Sequence, residues 1–174
     1  MIRTLSIVCL GLIVLVASAK RSTPSKSTER GVLRGYVGDW DLAFDADDPF
    51  SQGTLSGECV LGGTYLEQTG ELKARFVPYN AKIKVLTTYD ANTSQYKRWA
   101  FLSNGRSLSY TGTWDPKTTT MVWVSEYSEP LSKQTVRTTT TEEFRDGDTI
   151  DVSKVSMSGG REVGRSIERR TRRK

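Results

Sequence analysis

Histidine is absent from the 174 residues, and only two cysteines occur. The first absence excludes Ser-His-Asp and Cys-His nucleophilic catalysis, histidine-ligated zinc and histidine-ligated haem within this chain. The second leaves too few thiolates for a cysteine-rich metal site or an iron–sulfur cluster. Long helical periodicity is also missing: no run of ten or more residues carries convincing 3.6-residue spacing.

One apolar run stands out, Leu5 to Val16, preceded by Arg3 and followed by Ala17-Ser18-Ala19 and then Lys20-Arg21. At about a dozen residues it falls short of the ~20 that a membrane-spanning helix needs. Charge, apolar stretch and small-x-small site together read as a signal peptide, residues 1–19, and so as export to the periplasm or the extracellular medium. A retained anchor is the alternative; after removal no span remains. Cys9 would leave with the signal, and Cys59, the remaining thiol, has no histidine to activate it and reads as a small buried apolar residue. About 155 residues are left, enough for one domain with its own core, held by packing rather than by an internal disulfide.

The formal net charge of +5 invites a nucleic-acid reading, but the distribution argues against it. From Gly31 to Gly160 there are 13 basic and 17 acidic residues, a net of −4, so the excess sits at the two ends. Residues 20–32, rich in Ser, Thr, Lys and Glu, read as a disordered leader. Residues 172–174 read as a basic tail, able to touch an anionic partner or simply solvated.

Between them, over 33–171, the pattern has period two. Trp40, Leu42 and Phe44 alternate with Asp39, Asp41 and Asp45; Leu108, Tyr110, Gly112 and Trp114 with serines and threonines; Met121, Trp123 and Tyr127 with Val122, Val124 and Glu126. Asn104-Gly105, Asp115-Pro116, Asp146-Gly147 and Ser158-Gly159-Gly160 punctuate these runs with residues suited to tight turns. The spacing predicts an all-β fold of roughly ten hairpin-linked strands, each ~6–10 residues long. Closure into an antiparallel up-and-down barrel removes the exposed edges of such a meander; a two-sheet sandwich is the alternative.

Gly38-Asp39-Trp40 is similar to the G-x-W of calycin barrels, where the tryptophan closes one end beneath a basic residue of the last strand. Resemblance to calycins implies that Gly38 and Trp40 form the closure here. By parity Arg161, Val163, Arg165, Ile167 and Arg169 share a face, which makes Arg169 the expected partner, or Arg170 if a bulge flips the strand. Leu33 to Trp40, Gly57 to Gly63, Thr88-Tyr89-Asp90 through Trp99, Gly112 to Asp115, and the segment from Asp146 to Arg170 carry a wider likeness. Over nearly the whole mature domain the chain resembles the uncharacterised bacterial, lipocalin-like family labelled domain of unknown function 1579. That resemblance implies a barrel and no established activity.

Parity assigns Tyr65, Glu67, Arg98, Tyr110, Trp123 and Arg165 to a ligand-binding interior, with an arginine placed to meet a carboxylate bidentately. The alternative is that these side chains point outward or pair with each other. The expected ligand is small and hydrophobic or a carboxylate. Asp45, Asp47 and Asp48 read as a solvated acidic loop lacking EF-hand spacing, so no metal and no cofactor is expected. No catalytic residue is assigned. Glu67 and Glu126 are the carboxylates on which a histidine-free enzyme would have to rely. Three functions follow in order: non-catalytic binding inside the barrel, docking on an envelope surface through the basic tail, and carboxylate catalysis. Oligomeric state is not legible.

Overall fold

A computed structural model describes residues 29–129 and 133–174. Residues 1–19 and the leader up to residue 28 lie outside the described residues. A short helix α1 (Glu29–Arg34) leads into ten strands: β1 (Gly38–Phe44), β2 (Phe50–Val60), β3 (Tyr65–Ala74), β4 (Asn80–Asp90), β5 (Gln95–Leu102), β6 (Ser107–Asp115), β7 (Thr120–Ser128), β8 (Thr135–Phe144), β9 (Thr149–Ser158) and β10 (Arg161–Arg172). Each strand pairs antiparallel with the next, and β1 pairs with β10, so the sheet is a closed barrel with strands in sequence order. The meander therefore has no free edge, as the alternation and turn chemistry require.

Alternation decides which side chains fill the barrel. In β1, Trp40 and Leu42 are buried while Asp39, Asp41 and Ala43 are exposed. In β7, Met121, Trp123 and Ser125 are buried, and in β9 Ile150 and Val152 are. A register shift between Glu162 and Gly164 marks a bulge in β10, which otherwise stays in step with β9 through Thr171.

The two ends differ. At the lower end, where β1 starts and β10 finishes, α1 seals the barrel. Val32 and Leu33 are buried, and Tyr96 of β5 donates its hydroxyl hydrogen to the Glu29 carbonyl at 2.8 Å. The expectation of disorder over 20–32 therefore fails for residues 29–32. Two adjacent apolar residues, too few to set a helical period, still suffice to plug an open barrel end. Below the middle, edge-to-face rings fill the bore: Tyr36 on Phe144 (5.0 Å between centroids) and Trp114 on Phe144 (5.5 Å).

Glycine matters at two places here. Gly38 has φ +109°, a conformation L side chains rarely adopt, and a Cβ there would meet Nη1 of Arg172 at 2.6 Å. Gly112 leaves room for the Trp123 ring, which a Cβ would meet at 2.5 Å. Trp40 is 1 % exposed, its Nε1–H donates to the Tyr36 carbonyl at 3.0 Å, and the guanidinium of Arg172 lies over its ring at 4.2 Å. The barrel-closing partner is thus Arg172, not Arg169 or Arg170. Arg169 is exposed and bonds Asp151 on the outer wall, and Arg170 points inward to the centre of the barrel. Residues 172–174 are correspondingly not a detached tail. Arg172 ends β10, pairs with Trp40 and donates to the Val37 and Gly35 carbonyls, while Arg173 lies 3.6 Å from Asp41.

Cys59 is exposed, against the expectation of burial. Cys59 keeps the inward parity of Leu55 and Gly57 and pairs in register with buried Leu66, but it lies next to the last residue of β2, where inward parity no longer brings burial.

Candidate functional site

Above the aromatic plug lies a layer of charge. Glu142 of β8 is fully buried, and its carboxylate collects five donors. Oε1 accepts from Nη1 of Arg98 (2.8 Å) and sits 3.2 Å from Nη2 of Arg170. Oε2 accepts from Nε1 of Trp123 (2.8 Å), from Nη2 of Arg98 (3.2 Å) and, in a short bond, from the Tyr36 hydroxyl. Arg98 also stacks on the Trp123 ring, 3.8 Å from its centroid, so one cation is held by a carboxylate at its tip and an aromatic face on its flank.

The network continues upward. Arg170 donates from Nε to Glu168 at 2.5 Å, and Lys154 sits 3.3 Å from Glu168 and 3.5 Å from Asp48. Asp48 comes from the β1–β2 loop, where its other oxygen accepts from the Phe50 backbone N–H at 3.0 Å. Asp45 in the same loop accepts from the Ile167 and Asp48 N–H groups, so these two carboxylates serve the loop and the network.

Electrostatics fix the protonation states. Burial alone would push the Glu142 carboxyl up, but Arg98 and Arg170 outweigh it and hold it below the usual carboxylate range. Glu168 behaves alike: burial raises it, and Arg170 with Lys154 brings it down. Burial and the neighbouring Glu142 charge drive the Tyr36 phenol well above its ordinary value. Near neutrality Glu142 stays an anion and Tyr36 a neutral donor, so neither is poised to exchange a proton.

Directly above this layer the barrel is hollow. A cavity of about 190 Å³ has walls that include Leu55, Leu72, Ile83, Val85 and Leu108, and a floor formed by Arg98, Glu142 and Arg170. Phe44 and Phe50 stand at its upper side, tilted against each other at 6.1 Å. Tyr36, Trp40 and Trp123 do not line it; they lie beneath the charged layer.

Of the sequence-assigned interior residues, Arg98, Tyr110 and Trp123 point inward, and Arg98 and Tyr110 border the cavity. Tyr65 and Glu67 do not. Leu66 and Gln68 take the inner face of β3, which turns Tyr65 and Glu67 to the outer wall, where Glu67 pairs with Lys84 at 2.9 Å. Parity in β3 was ambiguous because both faces carry one apolar and one polar residue. Arg165 is exposed and pairs with Glu162, since Ser166, Glu168 and Arg170 form the inner set of β10 and its odd-numbered residues face out. Glu126 is also on the outside, paired with Arg137 at 3.0 Å.

Glu142, Lys154, Glu168 and Arg170, the rest of the network, escape a reading that looks for aromatics. The signal was there nonetheless: Glu142 shares parity with Val136 and Phe144, and Lys154 with Ile150 and Val152. A charged residue in phase with the apolar face is the mark of a buried ion pair.

No curated protein matches this chain. Residues 25–173, nearly the whole described part, match the family described as protein of unknown function (DUF1579), and the chain, a closed ten-stranded barrel with a charged layer across its bore, belongs to that family.

Proposed function

We propose that this protein is an exported, non-catalytic binding protein that holds a small, partly apolar molecule in the upper half of its barrel. The observation that carries the reading is the cavity of about 190 Å³ between apolar walls and a charged floor. An apolar cavity of ~150 Å³ accepts a benzene-sized guest, so the space suits one ring or a short chain rather than a long lipid. Buried ions cost desolvation energy that apolar packing would avoid, so a charged layer kept beside a cavity favours a role in recognition. Export rests on Arg3, the Leu5 to Val16 run and Ala17-Ser18-Ala19.

The docking alternative draws less support, because Arg172 and Arg173 are engaged by the barrel itself. Carboxylate catalysis loses its two candidates, since Glu67 and Glu126 lie on the outer wall in separate ion pairs. Native mass spectrometry of the protein purified from its own host, with thermal-shift screening of short-chain and monocyclic compounds, tests the binding reading. A bound small molecule or a dose-dependent rise in melting temperature is expected; an empty, unresponsive protein across the screen refutes it. Intact mass of the mature chain tests export, with loss of residues 1–19 expected.

A further inference from the structure

We infer that the β3–β4 loop docks this protein on the surface of an anionic lipid bilayer, inserting Phe76, Val77 and Tyr79 among the acyl chains while Lys73, Lys82 and Arg106 face the headgroups. The surface concerned is at the upper end of the barrel, remote from the C-terminal arginines, and its role does not depend on what the cavity holds.

Of the large apolar side chains exposed among the described residues, three share one short loop. In Arg75-Phe76-Val77-Pro78-Tyr79, Phe76 is 79 % exposed, Tyr79 59 % and Val77 41 %. Such a cluster adds nothing to the barrel's core and marks a surface that meets something else. The base of the loop is tied down. Arg75 donates from its side chain to the carbonyls of Asp45 (2.7 Å), Phe50 (3.2 Å) and Asp48 (3.3 Å), and from its backbone N–H to the Pro49 carbonyl (2.8 Å). An apolar tip presented in advance on a fixed base loses little order when it binds. Phe101, exposed on the outer face of β5 and in register with Lys84, continues the apolar surface down the same flank.

Charge selects the partner. Residues 65–107 carry seven basic and three acidic residues, whereas the remainder of 31–160 carries six and fourteen, so the excess positive charge gathers on the flank that bears the loop. Of the seven, Arg98 is spent on Glu142 inside the barrel and Lys84 on Glu67. Lys73 ends β3, Lys82 begins β4, and the β5–β6 turn that carries Arg106 is tied to Lys82, whose N–H donates to the Ser103 hydroxyl at 3.0 Å. With Arg75, whose bonds run to carbonyls rather than carboxylates, four cations stand around the tip against Glu71, in register with Lys82, and Asp47 of the β1–β2 loop. Apolar groups that can sink below a ring of long basic side chains match a surface that is negative at its face and hydrocarbon beneath. Tyrosine suits the boundary itself, with its ring in the apolar layer and its hydroxyl in the wet one.

Co-sedimentation of the full mature protein with vesicles of equimolar phosphatidylglycerol and phosphatidylcholine, and with vesicles of phosphatidylcholine alone, tests this. Binding to the anionic vesicles is expected, and it should weaken at least about tenfold on phosphatidylcholine alone or in roughly 0.5 M salt. The triple variant Phe76→Ser, Val77→Ser, Tyr79→Ser should keep its melting temperature and bind about a hundredfold more weakly. Leu61→Ser removes a side chain that is 76 % exposed in the β2–β3 turn at the opposite end, and should leave binding unchanged. Acyl chains carrying bromine should quench the emission of Phe76→Trp more strongly than that of the unmodified protein. Absence of vesicle binding overturns the inference, as do equal binding to both lipids, undiminished binding by the triple variant, an equal loss in Leu61→Ser, or no added quenching in Phe76→Trp. A dimer that the triple variant breaks up, seen by sedimentation velocity without vesicles, also overturns it, because the loop would then join two copies of the chain. None of these results bears on the cavity, which the ligand screen tests separately.

Discussion

Arg172 lies over Trp40, its guanidinium carbon 4.2 Å from the ring centroid, and clamps the last strand onto the first. It also donates to the Gly35 carbonyl at 3.0 Å and to the Gly147 carbonyl at 3.0 Å. One side chain therefore joins the strand end, the helix exit and the β8–β9 turn.

Arg172→Ala should cost about 2–3 kcal/mol, combining a cation–π contact with lost charged hydrogen bonds. Lysine should restore little, since it lacks the planar fork. Arg169→Ala, three residues earlier and on the outer wall, should cost far less than Arg172→Ala, because exposed ion pairs are screened by solvent. Urea denaturation of the three variants checks the ranking, and equal losses for Arg172→Ala and Arg169→Ala would contradict it.

Glu142→Gln should destabilise the barrel by about 3–5 kcal/mol, because it leaves Arg98 and Arg170 facing each other in the interior. Pairing it with Arg98→Met should recover part of the loss, which a double-mutant cycle measures directly.

Acid should weaken the fold in a defined window. Glu142 and Glu168 titrate lower in the folded chain than their ordinary value of 4.5, so below that pH the unfolded chain binds protons the folded chain refuses. Stability from these two groups is complete above about pH 5 and falls as pH drops toward their folded values. Denaturation midpoints between pH 6 and about 2.5 should decline, and the slope should be shallower in Glu142→Gln. A midpoint flat across that range would count against the buried network.

Gly112→Ala should cost about 1–3 kcal/mol by pushing the Trp123 ring, 2.5 Å from the added Cβ, off its bond to Glu142. Tryptophan fluorescence should shift with it, whereas Gly147→Ala, with open space around it, should leave the signal unchanged.

Most of the architecture was legible because period-two alternation and hairpin turns leave few ways to arrange ten strands. Trp40, Leu42 and Phe44, or Ile150 and Val152, reveal their face at sight. Tyr65 and Glu67 do not, since Leu66 and Gln68 offer an equally plausible inner pair and only the neighbouring strands break the tie. The arginines of β10 were misread for a related reason. With basic residues on both faces, charge carries no phase, and the bulge at Glu162/Gly164 detaches the early part of the strand from the rest. The ionic layer stayed hidden because it is assembled from β5, β8, β9, β10 and the β1–β2 loop. A linear reading gives no hint that such distant segments share one cross-section.

The seam between β1 and β10 joins positions as far apart as Trp40 and Arg172, 132 residues distant along the chain. Hairpins can form as synthesis proceeds, but the ring cannot shut until the final strand is delivered, bringing with it Glu168, Arg170 and Arg172. Until then the nascent sheet carries two raw borders and a Glu142 that has Arg98 but lacks Arg170, which makes the closing strand the one that decides whether the product survives or aggregates.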